Sequence, residues 1–273
     1  QMPRVLREIG RLREVSFRAC GEGAGTQLDL DDYDDYYQHL FVWDREARAI
    51  VGAYRFCPVQ GTLAQHGNRG IYTQELFEYA TGFFDRMPPA LEMGRSFVQP
   101  EYQRHPASLF LLWKGIGHYL VQHPRYKILL GPVSISKEYS HAARQVIVQY
   151  LQQTLLHPEL SRRVTGRHPF FVTEEQGAVA SGPRPLAGMD EVSRLVEEVC
   201  PGCHGVPVLL RHYLKLGGQV LAFSEDPDFN DVLDVLLVVD FRCGDARVLG
   251  KYMGRDGARS YLGAAAEDQP AAV

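Results

Sequence analysis

The sequence predicts an α/β protein in which helices flank a layered sheet of mixed strand direction. Two observations indicate this class. A helix and a β-hairpin come first along the chain, and strands then alternate with helices. The composition, 273 residues with 45% apolar and 23% charged side chains, is that of an ordinary soluble globular chain. Length alone does not decide between one large domain and two small ones.

The first half of the chain carries clear helical and extended patterns. The initial helix places Val5, Ile9, Leu12 and Val15 on one face. The predicted elements are a helix at 5–20, hairpin strands at 39–43 and 49–56, a short helix at 75–80 and a strand at 91–98.

The second half predicts alternating helices and strands with one long loop. Pro106 suits the first turn of an apolar helix, and Ser136 is the expected N-cap of the next one. The further elements are a strand at 126–136, a helix at 137–155, a loop at 167–190, helices at 191–199 and 207–216, strands in GQVLAFS and VLDVLLVVD, and a closing helix in ARVLGKYMG. We therefore expect a single domain over residues 1–263 and a flexible tail at 264–273.

Composition and charge exclude several classes of function. A net charge of −4 argues against nucleic-acid binding, which requires a basic surface. There is no uninterrupted apolar run of the length that a membrane span needs, and the charged N-terminus does not predict a secretory signal. Five cysteines, an odd number, fit a reducing compartment. We expect a cytoplasmic protein, either free or peripheral to the inner membrane.

The strand LEMGRSFV (91–98) contains two charged residues in a pattern otherwise typical of a core. Glu92 and Arg95 are three positions apart, and side chains of a regular strand alternate between its faces. The spacing thus predicts that the carboxylate and the guanidinium lie on opposite sides of the sheet. A structural ion-pair network with other partners would also explain both charges.

A set of motifs gives the chain a family resemblance. The pattern FRxxG, DxDDYDxYYxHLxVWD and IVGxYR is followed by LExGRSFVQPxYQR, an apolar helix and GPVSIS. Together these resemble the GNAT-fold N-acyltransferases of the ornithine-lipid and glycine-lipid type, also called haemolysin-like. They are more distantly similar to the acyl-homoserine-lactone synthases. The segments PVLLRHYLKLGG and DPDFNDVLDVLLVVD resemble the GNAT part of bacterial chains in which a phospholipid-type acyltransferase precedes it.

The resemblance implies a GNAT-type fold, with a mixed and mostly antiparallel central sheet, and a transfer of an acyl group from a thioester to an amine. Glu92 matches the catalytic glutamate of a Glu-x-x-Arg motif, with Arg95 as its arginine. A carboxylate within hydrogen-bond reach can take the proton of the attacking amine. Arg95 would support this region from the other sheet face or meet the donor phosphate. Tyr139 is the candidate to assist the thiolate leaving group.

The resemblance also implies roles for residues that bind the two substrates. The acceptor-side residues are Asp34, Asp35, His39, Arg55, Ser134 and Ser136. The donor-side residues are Phe97, Val98, Arg104, Ser108 and Trp113. The expected acceptor is an amino acid such as ornithine, lysine or glycine, and clustered carboxylates would favour a cationic one. The product is then an N-acyl amino acid, the precursor of an aminolipid.

One departure from the wider superfamily concerns the donor. Many GNAT enzymes cradle the donor pyrophosphate with a glycine-rich turn, whereas this chain has QRHPAS at that point. This favours acyl carrier protein over CoA, because the pantetheine of a carrier protein has a single phosphate. The expected partners are acyl carrier protein, the amino acid and a fused or separate O-acyltransferase domain. No bound cofactor or metal is expected, and membrane contact is left open.

Alternative interpretations stand beside these. The run DLDDYDDYY (29–37) is also typical of a solvated turn. The protein could instead make soluble N-acyl signals, or bind acyl chains or lipids without catalysis. Cys200-Pro-Gly-Cys203-His204 matches a c-type haem attachment signature and resembles a redox dithiol or half of a zinc site. Without a signal for export, an incidental turn between helices is the favoured interpretation.

Overall fold

The computed structural model describes residues 2–105, 107–172, 186 and 188–267, and these form a mixed sheet with helices beside it. The strands are β1 (Gln38–Asp44), β2 (Ala49–Pro58), β3 (Phe77–Tyr79), β4 (Ala90–Val98), β5 (Ile128–Ile135), β6 (Val164–Gly166), β7 (Gln219–Asp226) and β8 (Val232–Asp240). The predicted α/β class is confirmed.

The α-helices of the described residues include four long ones, of 13 to 16 residues. The α-helices of the described residues are α1 (Pro3–Arg18), α2 (Val59–His66), α3 (Thr73–Leu76), α4 (Pro100–Gln103), α5 (Ala107–Gln122), α6 (His141–Thr154), α7 (Met189–Val199), α8 (Val208–Lys215), α9 (Ala246–Met253) and α10 (Arg255–Glu267).

The chain divides into two units. One comprises Gln1–Tyr72, Phe84–Gly131 and Val239–Val273, and the other Thr73–Phe83 and Pro132–Val238. The six-stranded sheet has the strand order β1-β2-β4-β5-β8-β7. The single domain expected over residues 1–263 stays a prediction.

Strand pairing in the first unit is antiparallel for β1 with β2 and for β2 with β4. β4 pairs in parallel with β5 over Ala90–Glu92 and Ile128–Leu130. In the second unit β7 pairs antiparallel with β8, and β3 with β6 forms a separate two-stranded sheet. This arrangement confirms the mixed, mostly antiparallel sheet.

A bulge in β4 overturns the expected alternation of Glu92 and Arg95. Arg55 pairs with Gly94, while Ala53 pairs with Phe97, so two residues of β4 oppose one of β2. Arg95 has φ +47°, the left-handed conformation that a bulge can require. The expectation that the two side chains lie on opposite faces is therefore wrong. Both belong to one cluster, because the extra residue interrupts the two-residue period.

Both α5 and α1 contribute buried residues to the core of the first unit. The ring of Trp113 contacts that of Tyr54 edge-on, with centroids 6.3 Å apart. Tyr119 packs against Phe56 at 4.8 Å. On α1, Ile9 and Leu12 are buried as predicted, whereas Val15 is 45% exposed. Arg13 is buried instead, because it follows Ile9 by four residues and so lies on the same face of the helix.

Several element boundaries differ from the sequence prediction. The segment 75–80 is helical only up to Leu76 and then enters β3, because its extended residues pair with β6. Ser136 is not a helix N-cap: α6 begins at His141, and Ser140 Oγ accepts the N–H of Ala143 at 3.2 Å.

The remaining differences lie near the ends of predicted elements. The predicted loop at 167–190 follows directly after β6, which ends at Gly166, and its part at 173–185 and 187 lies outside the described residues. Pro106, expected to begin α5, also lies outside them. A further helix, α10, follows α9 and continues to Glu267, past the expected start of the tail at 264. Residues 268–273 are not described.

Candidate active site

Glu92 is the buried carboxylate at the centre of the candidate site. It lies near the start of β4, opposite Cys57 of β2, and is 1% exposed. Its Oε2 accepts a short hydrogen bond from the Tyr37 hydroxyl and a second from the backbone N–H of Tyr72, at 3.0 Å. The same N–H lies 2.9 Å from the Tyr37 oxygen. The carboxylate is thus held in one orientation by two donors.

The groups around Glu92 keep their protons. Burial, and then the Glu92 carboxylate, raise the pKa of Tyr37 well above that of an ordinary phenol. The same two causes raise the pKa of the Cys57 thiol to about 12. Tyr37 is therefore a permanent hydrogen-bond donor at neutral pH, and Cys57 is a thiol rather than a nucleophilic thiolate.

Arg55 lies beside Glu92 inside a cage of aromatic rings. Its guanidinium carbon is 5.0 Å from the centre of the Tyr37 ring and 5.6 Å from those of Tyr33 and Tyr72. Nη1 donates a short hydrogen bond to Asp31 and lies 3.1 Å from Asp34 Oδ2.

The other two nitrogens of Arg55, Nε and Nη2, are buried and have no hydrogen-bond acceptor among the described residues. The whole side chain is 1% exposed. A buried cation that satisfies only part of its donors is costly, so the arrangement suits a ligand with carboxylate oxygens.

Arg13 of α1 binds the aspartate-rich run at residues 29–37 through Asp34. Its Nη1 donates to both oxygens of Asp34, at 2.8 and 3.1 Å, and its Nη2 lies 3.2 Å from Nδ1 of His39. Although burial alone would raise it, the Arg13 and Arg55 guanidiniums hold the pKa of the Asp34 carboxyl below its usual value. Burial and the Arg13 charge lower the pKa of His39, so this imidazole is neutral at pH 7.

Arg95 closes the cluster on the side of Tyr72. Its Nη1 donates to the Tyr72 hydroxyl at 3.1 Å, and its guanidinium carbon is 4.6 Å from the centre of that ring. Nε is 3.3 Å from Asp29 Oδ1, and Nη2 is 3.6 Å from Asp31 Oδ2. Arg95 therefore orders the tyrosine whose backbone N–H binds Glu92.

Local structure explains how the aspartate-rich run is held. Asp31 caps a short 3₁₀ turn at Asp32–Asp35: its Oδ1 accepts the N–H of Tyr33, and Asp34 Oδ2 accepts the N–H of Asp31. Only part of the run is solvated, since Asp32 and Asp35 are exposed but Asp34 is buried. The hypothesis of a purely solvated turn is wrong, because arginine pairs offset the cost of burial.

The structure brings together five of the predicted site residues, all in the first unit. They are Asp34, His39, Arg55, Glu92 and Arg95. Asp35 is exposed beside them. Of the donor-side set, Trp113 is a core residue, and Ser108 Oγ donates to the Tyr102 carbonyl at 2.9 Å.

The other donor-side residues also lie in the first unit. Phe97 is buried in β4 and pairs with Ala53, whereas Val98, the last residue of β4, is partly exposed. Arg104 is exposed at the end of α4. Their proposed contacts with the donor stay predictions.

The remaining predicted residues lie in the second unit. Ser134 Oγ donates to Asp234 Oδ1 at 2.8 Å, and Ser136 Oγ accepts the N–H of Glu138 at 3.2 Å. Burial, followed by the nearby Glu138 charge, raises the pKa of the Tyr139 phenol. It therefore carries the proton that an acid needs, and its role stays a prediction.

Sequence reasoning gave no individual roles to several members of the cluster. They are Arg13, Asp29, Asp31, Tyr33, Tyr37, Cys57 and Tyr72. Arg13 carried a usable signal, because a charged residue four positions after Ile9 falls on the apolar face of α1. Tyr72 carried no such signal, because it contributes to the site a backbone N–H that donates to Glu92, and only the fold brings this N–H there.

Within the described part of the chain, no helix combines the length and apolar character needed to cross a membrane. The same residues contain no group of three or more His, Cys, Asp or Glu side chains placed to hold a metal ion.

Comparison with known proteins places this geometry in a family. A family model described as an acetyltransferase (GNAT) domain matches residues 12–114, which include the second half of α1, the aspartate-rich run at 29–37 and β4. A glycine N(alpha)-acyltransferase of Bacteroides thetaiotaomicron is 30% identical over 263 residues, covering 90% of this chain and 77% of the relative. The counterpart from Phocaeicola vulgatus is also 30% identical, over 90% and 79%.

A more distant relative is an L-ornithine N(alpha)-acyltransferase of Rhodobacter capsulatus. It is 28% identical over 254 residues, which are 86% of this chain and 85% of the relative. The GNAT match, these relatives and the mixed sheet agree with one another. The chain belongs to the GNAT N-acyltransferases, in the group of the glycine and L-ornithine Nα-acyltransferases, and is an acyltransferase enzyme.

Proposed function

We propose that the enzyme transfers a long-chain acyl group, with or without a 3-hydroxyl, from an acyl-carrier-protein thioester to the amine of an amino acid. The observation that carries the proposal is the Glu92 carboxylate, buried and held by the Tyr37 hydroxyl and the Tyr72 N–H. A buried carboxylate held in a fixed position is suited to accept a proton from an amine bound within hydrogen-bond reach.

The chemistry requires one proton transfer from the nucleophile. An ammonium has no lone pair, so the amine attacks in its neutral form and forms a bond to the thioester carbonyl carbon. The nitrogen then gives its proton to Glu92, directly or through one water, and the C–S bond breaks. The departing thiolate takes up a proton. Its basicity is low, so acid help is a minor contribution, and Tyr139 is the candidate for it.

Arg55 is proposed to hold the carboxylate of the acceptor. Its Nε and Nη2 are adjacent donors without acceptors among the described residues, and the pair matches the two oxygens of a carboxylate. Arg55 also contacts the Tyr37 ring, which in turn bonds to Glu92. An α-amino acid could therefore present its amine toward Glu92 while Arg55 binds its other end.

The ion pairs of the cluster favour glycine over a cationic acceptor. Asp29, Asp31 and Asp34 each pair with an arginine of the first unit. The ammonium of ornithine or lysine would have to replace one of these buried partners, which is unfavourable. This reverses the preference expected from the aspartate run itself. The similar proteins include enzymes named for glycine and for ornithine, so their names do not choose between the two acceptors. The choice of glycine therefore rests on the pairing of these aspartates with arginines.

Acyl carrier protein is favoured over CoA as the donor. At the start of α5, the N–H of Ala107 lies 3.3 Å from Nδ1 of His105, and that of Ser108 donates to the His105 carbonyl at 3.1 Å. Backbone donors that already have partners bind a pyrophosphate poorly. We further propose that the enzyme contacts the membrane and an O-acyltransferase domain.

Mass spectrometry tests this function directly. The purified enzyme is incubated with long-chain acyl carrier protein, or with the matching acyl-CoA, and a pool of all amino acids. We expect N-acylglycine as the main product and a rate with Glu92→Gln that is about 10²–10⁴-fold lower. Glu101→Gln, at an exposed position of α4, is the matched control. Acyl-ornithine as the main product would refute the acceptor argument, and an unchanged rate with Glu92→Gln would refute the role of the base.

A second measurement tests the carboxylate site without any variant. Glycinamide keeps the amine and the size of glycine but lacks the carboxylate. Because Arg55 would then keep buried donors without an acceptor, kcat/KM should fall by about 10²-fold or more. Equal kcat/KM values for glycine and glycinamide would show that Arg55 does not bind the acceptor.

A further inference from the structure

The turn between α7 and α8 contains a pair of cysteines that the acyl-transfer chemistry does not use. Cys200 and Cys203 are joined as a disulfide, with their Cα atoms 5.5 Å apart. Gly202, at φ +104°, supplies the left-handed conformation that lets the short segment close. The sequence Cys-Pro-Gly-Cys is therefore folded so that its two sulfur atoms meet.

The two cysteines differ in their exposure. Cys200 is 7% exposed, whereas Cys203 is only partly buried. Exchange between thiols and disulfides requires one sulfur that an external reagent can reach and a second that resolves the mixed disulfide. Cys203 fits the first role and Cys200 the second. Two other cysteines of the described residues, Cys20 and Cys243, are exposed and lie outside the disulfide, and so provide internal controls.

The pair contacts the loop that joins β5 to α6. The Glu138 carbonyl oxygen is 3.7 Å from Cys200 Sγ and 3.8 Å from Cys203 Sγ. Ser140, the N-cap of α6, donates its hydroxyl to the Val199 carbonyl at the end of α7, at 3.3 Å. The end of α7 and the turn after it thus touch both sides of Tyr139.

We propose that Cys200 and Cys203 form a reversible thiol–disulfide site that controls the mobility of residues 136–140. The oxidant is a small disulfide of the glutathione type. The Cys203 thiolate attacks one of its sulfurs and releases one thiolate. Cys200 then gives up its proton, attacks Cys203 Sγ in the mixed disulfide and releases the second thiolate. The reverse sequence, with two molecules of a thiol, restores the dithiol.

The two states differ at the Glu138 carbonyl. A thiol can donate a weak S–H hydrogen bond to this oxygen, whereas a disulfide has no S–H to donate. The disulfide also removes conformational freedom from the turn beside the loop. We expect residues 136–140 to exchange their amide hydrogens about tenfold more slowly in the disulfide state. A small change in the rate of acyl transfer would follow as well, which rests on the proposed function and on the minor acid help given there to Tyr139.

The site is tested in the whole protein with glutathione buffers of graded ratio. Differential alkylation followed by mass spectrometry should show two of the five cysteines, Cys200 and Cys203, losing and regaining their thiols together. Cys20→Ser should leave this transition unchanged, and Cys200→Ser should abolish it. A pair that stays entirely reduced or entirely oxidised at every ratio would overturn the proposal.

Hydrogen exchange supplies the second test and needs no enzymatic activity. Slower exchange in residues 136–140 under oxidation, absent in Cys200→Ser under the same buffer, supports the coupling. Equal exchange in both states of the unmodified enzyme would refute it. Because both tests are independent of the acyl-transfer assay, failure of this proposal and failure of the proposed function are distinguishable.

Discussion

At the scale of single residues, the site depends on where each charge finds its partner. Glu92 accepts hydrogen bonds from the Tyr37 hydroxyl and the Tyr72 N–H, and three arginines pair with three aspartates around it. Arg95 joins this cluster only because its backbone is left-handed and forms a bulge. One residue's conformation thus decides that the glutamate and the arginine of the Glu-x-x-Arg motif act on the same side.

Tyr37→Phe removes one donor to Glu92 while it keeps the ring that packs on Arg55. Since a hydrogen bond to a charged group contributes about 1.5–3 kcal/mol, kcat should fall by about tenfold or more. Tyr36→Phe is the matched control, because the Tyr36 hydroxyl donates to the Gly70 carbonyl instead. Steady-state rates of both variants decide the question, and equal rates would remove Tyr37 from the mechanism.

Asp34→Asn breaks the buried pair with Arg13 and should lower the free energy of unfolding by about 3–5 kcal/mol. Asp35→Asn, at the exposed neighbouring position, should change it by less than about 0.5 kcal/mol. Denaturant unfolding of the two variants measures this difference. Similar losses for both variants would contradict the assignment.

The pH dependence of stability follows from the same carboxyl. The arginines lower the pKa of Asp34 in the folded state, so its stabilising contribution is complete above the unfolded pKa. This contribution is lost as the pH falls through the folded value. Unfolding curves measured toward acid pH should therefore show a loss in the unmodified protein that is smaller in Asp34→Asn. An identical pH dependence in the two proteins would contradict the proposed shift.

At the scale of elements, helices and strands with strong patterns were predictable and short segments were not. The periodicity of α1 and the turn between β1 and β2 are local features, and both predictions are confirmed. Residues 77–79 became a strand because β6, nearly ninety positions later, pairs with them. Local preference cannot report such a distant partner.

The contact between α5 and α9 gives a prediction about helix packing. A Cβ at Gly117 would lie 2.9 Å from the carbonyl carbon and oxygen of Tyr252, and backbone cannot move aside easily. Gly117→Ala should therefore cost about 1–3 kcal/mol of stability. Gly263→Ala meets open space in α10 and should stabilise by about 0.5–1 kcal/mol. Thermal unfolding of the two variants should show shifts of opposite sign, and shifts of the same sign would refute the packing argument.

At the scale of the whole molecule, residues far apart in sequence complete the first unit. The Tyr261 hydroxyl donates to the Tyr126 carbonyl at 2.6 Å, and Lys127 Nζ donates to the Tyr261 carbonyl, also at 2.6 Å. Lys127 is buried, so this carbonyl satisfies a charge that would otherwise be costly. The last helices are therefore part of the fold of the first unit.

Truncation after Asp245 tests that conclusion. It removes α9 and α10, uncovers α5 and leaves Lys127 without the Tyr261 carbonyl, so we expect a large fall in the melting temperature or no folded protein. Truncation after Glu267 keeps all of these contacts and is the control. Thermal unfolding by circular dichroism compares the two proteins, and equal melting temperatures would show that the helices are dispensable.

The sequence by itself determined the fold class, the family and the identity of the central carboxylate. These depend on local periodicity and on motifs that are continuous along the chain, such as LExGRSFVQPxYQR. Five residues of the cluster, Asp34, His39, Arg55, Glu92 and Arg95, were available from the same motifs.

Only the tertiary structure decided how these residues act together. The bulge at Arg95 depends on the register between β2 and β4, and the Tyr72 N–H reaches Glu92 from a separate segment. The structure also pairs Asp29, Asp31 and Asp34 each with an arginine, and these pairs are the basis of the proposed preference for glycine over a cationic acceptor. The physical reason is that ion pairing and burial are set by contacts between distant segments, which no local pattern contains.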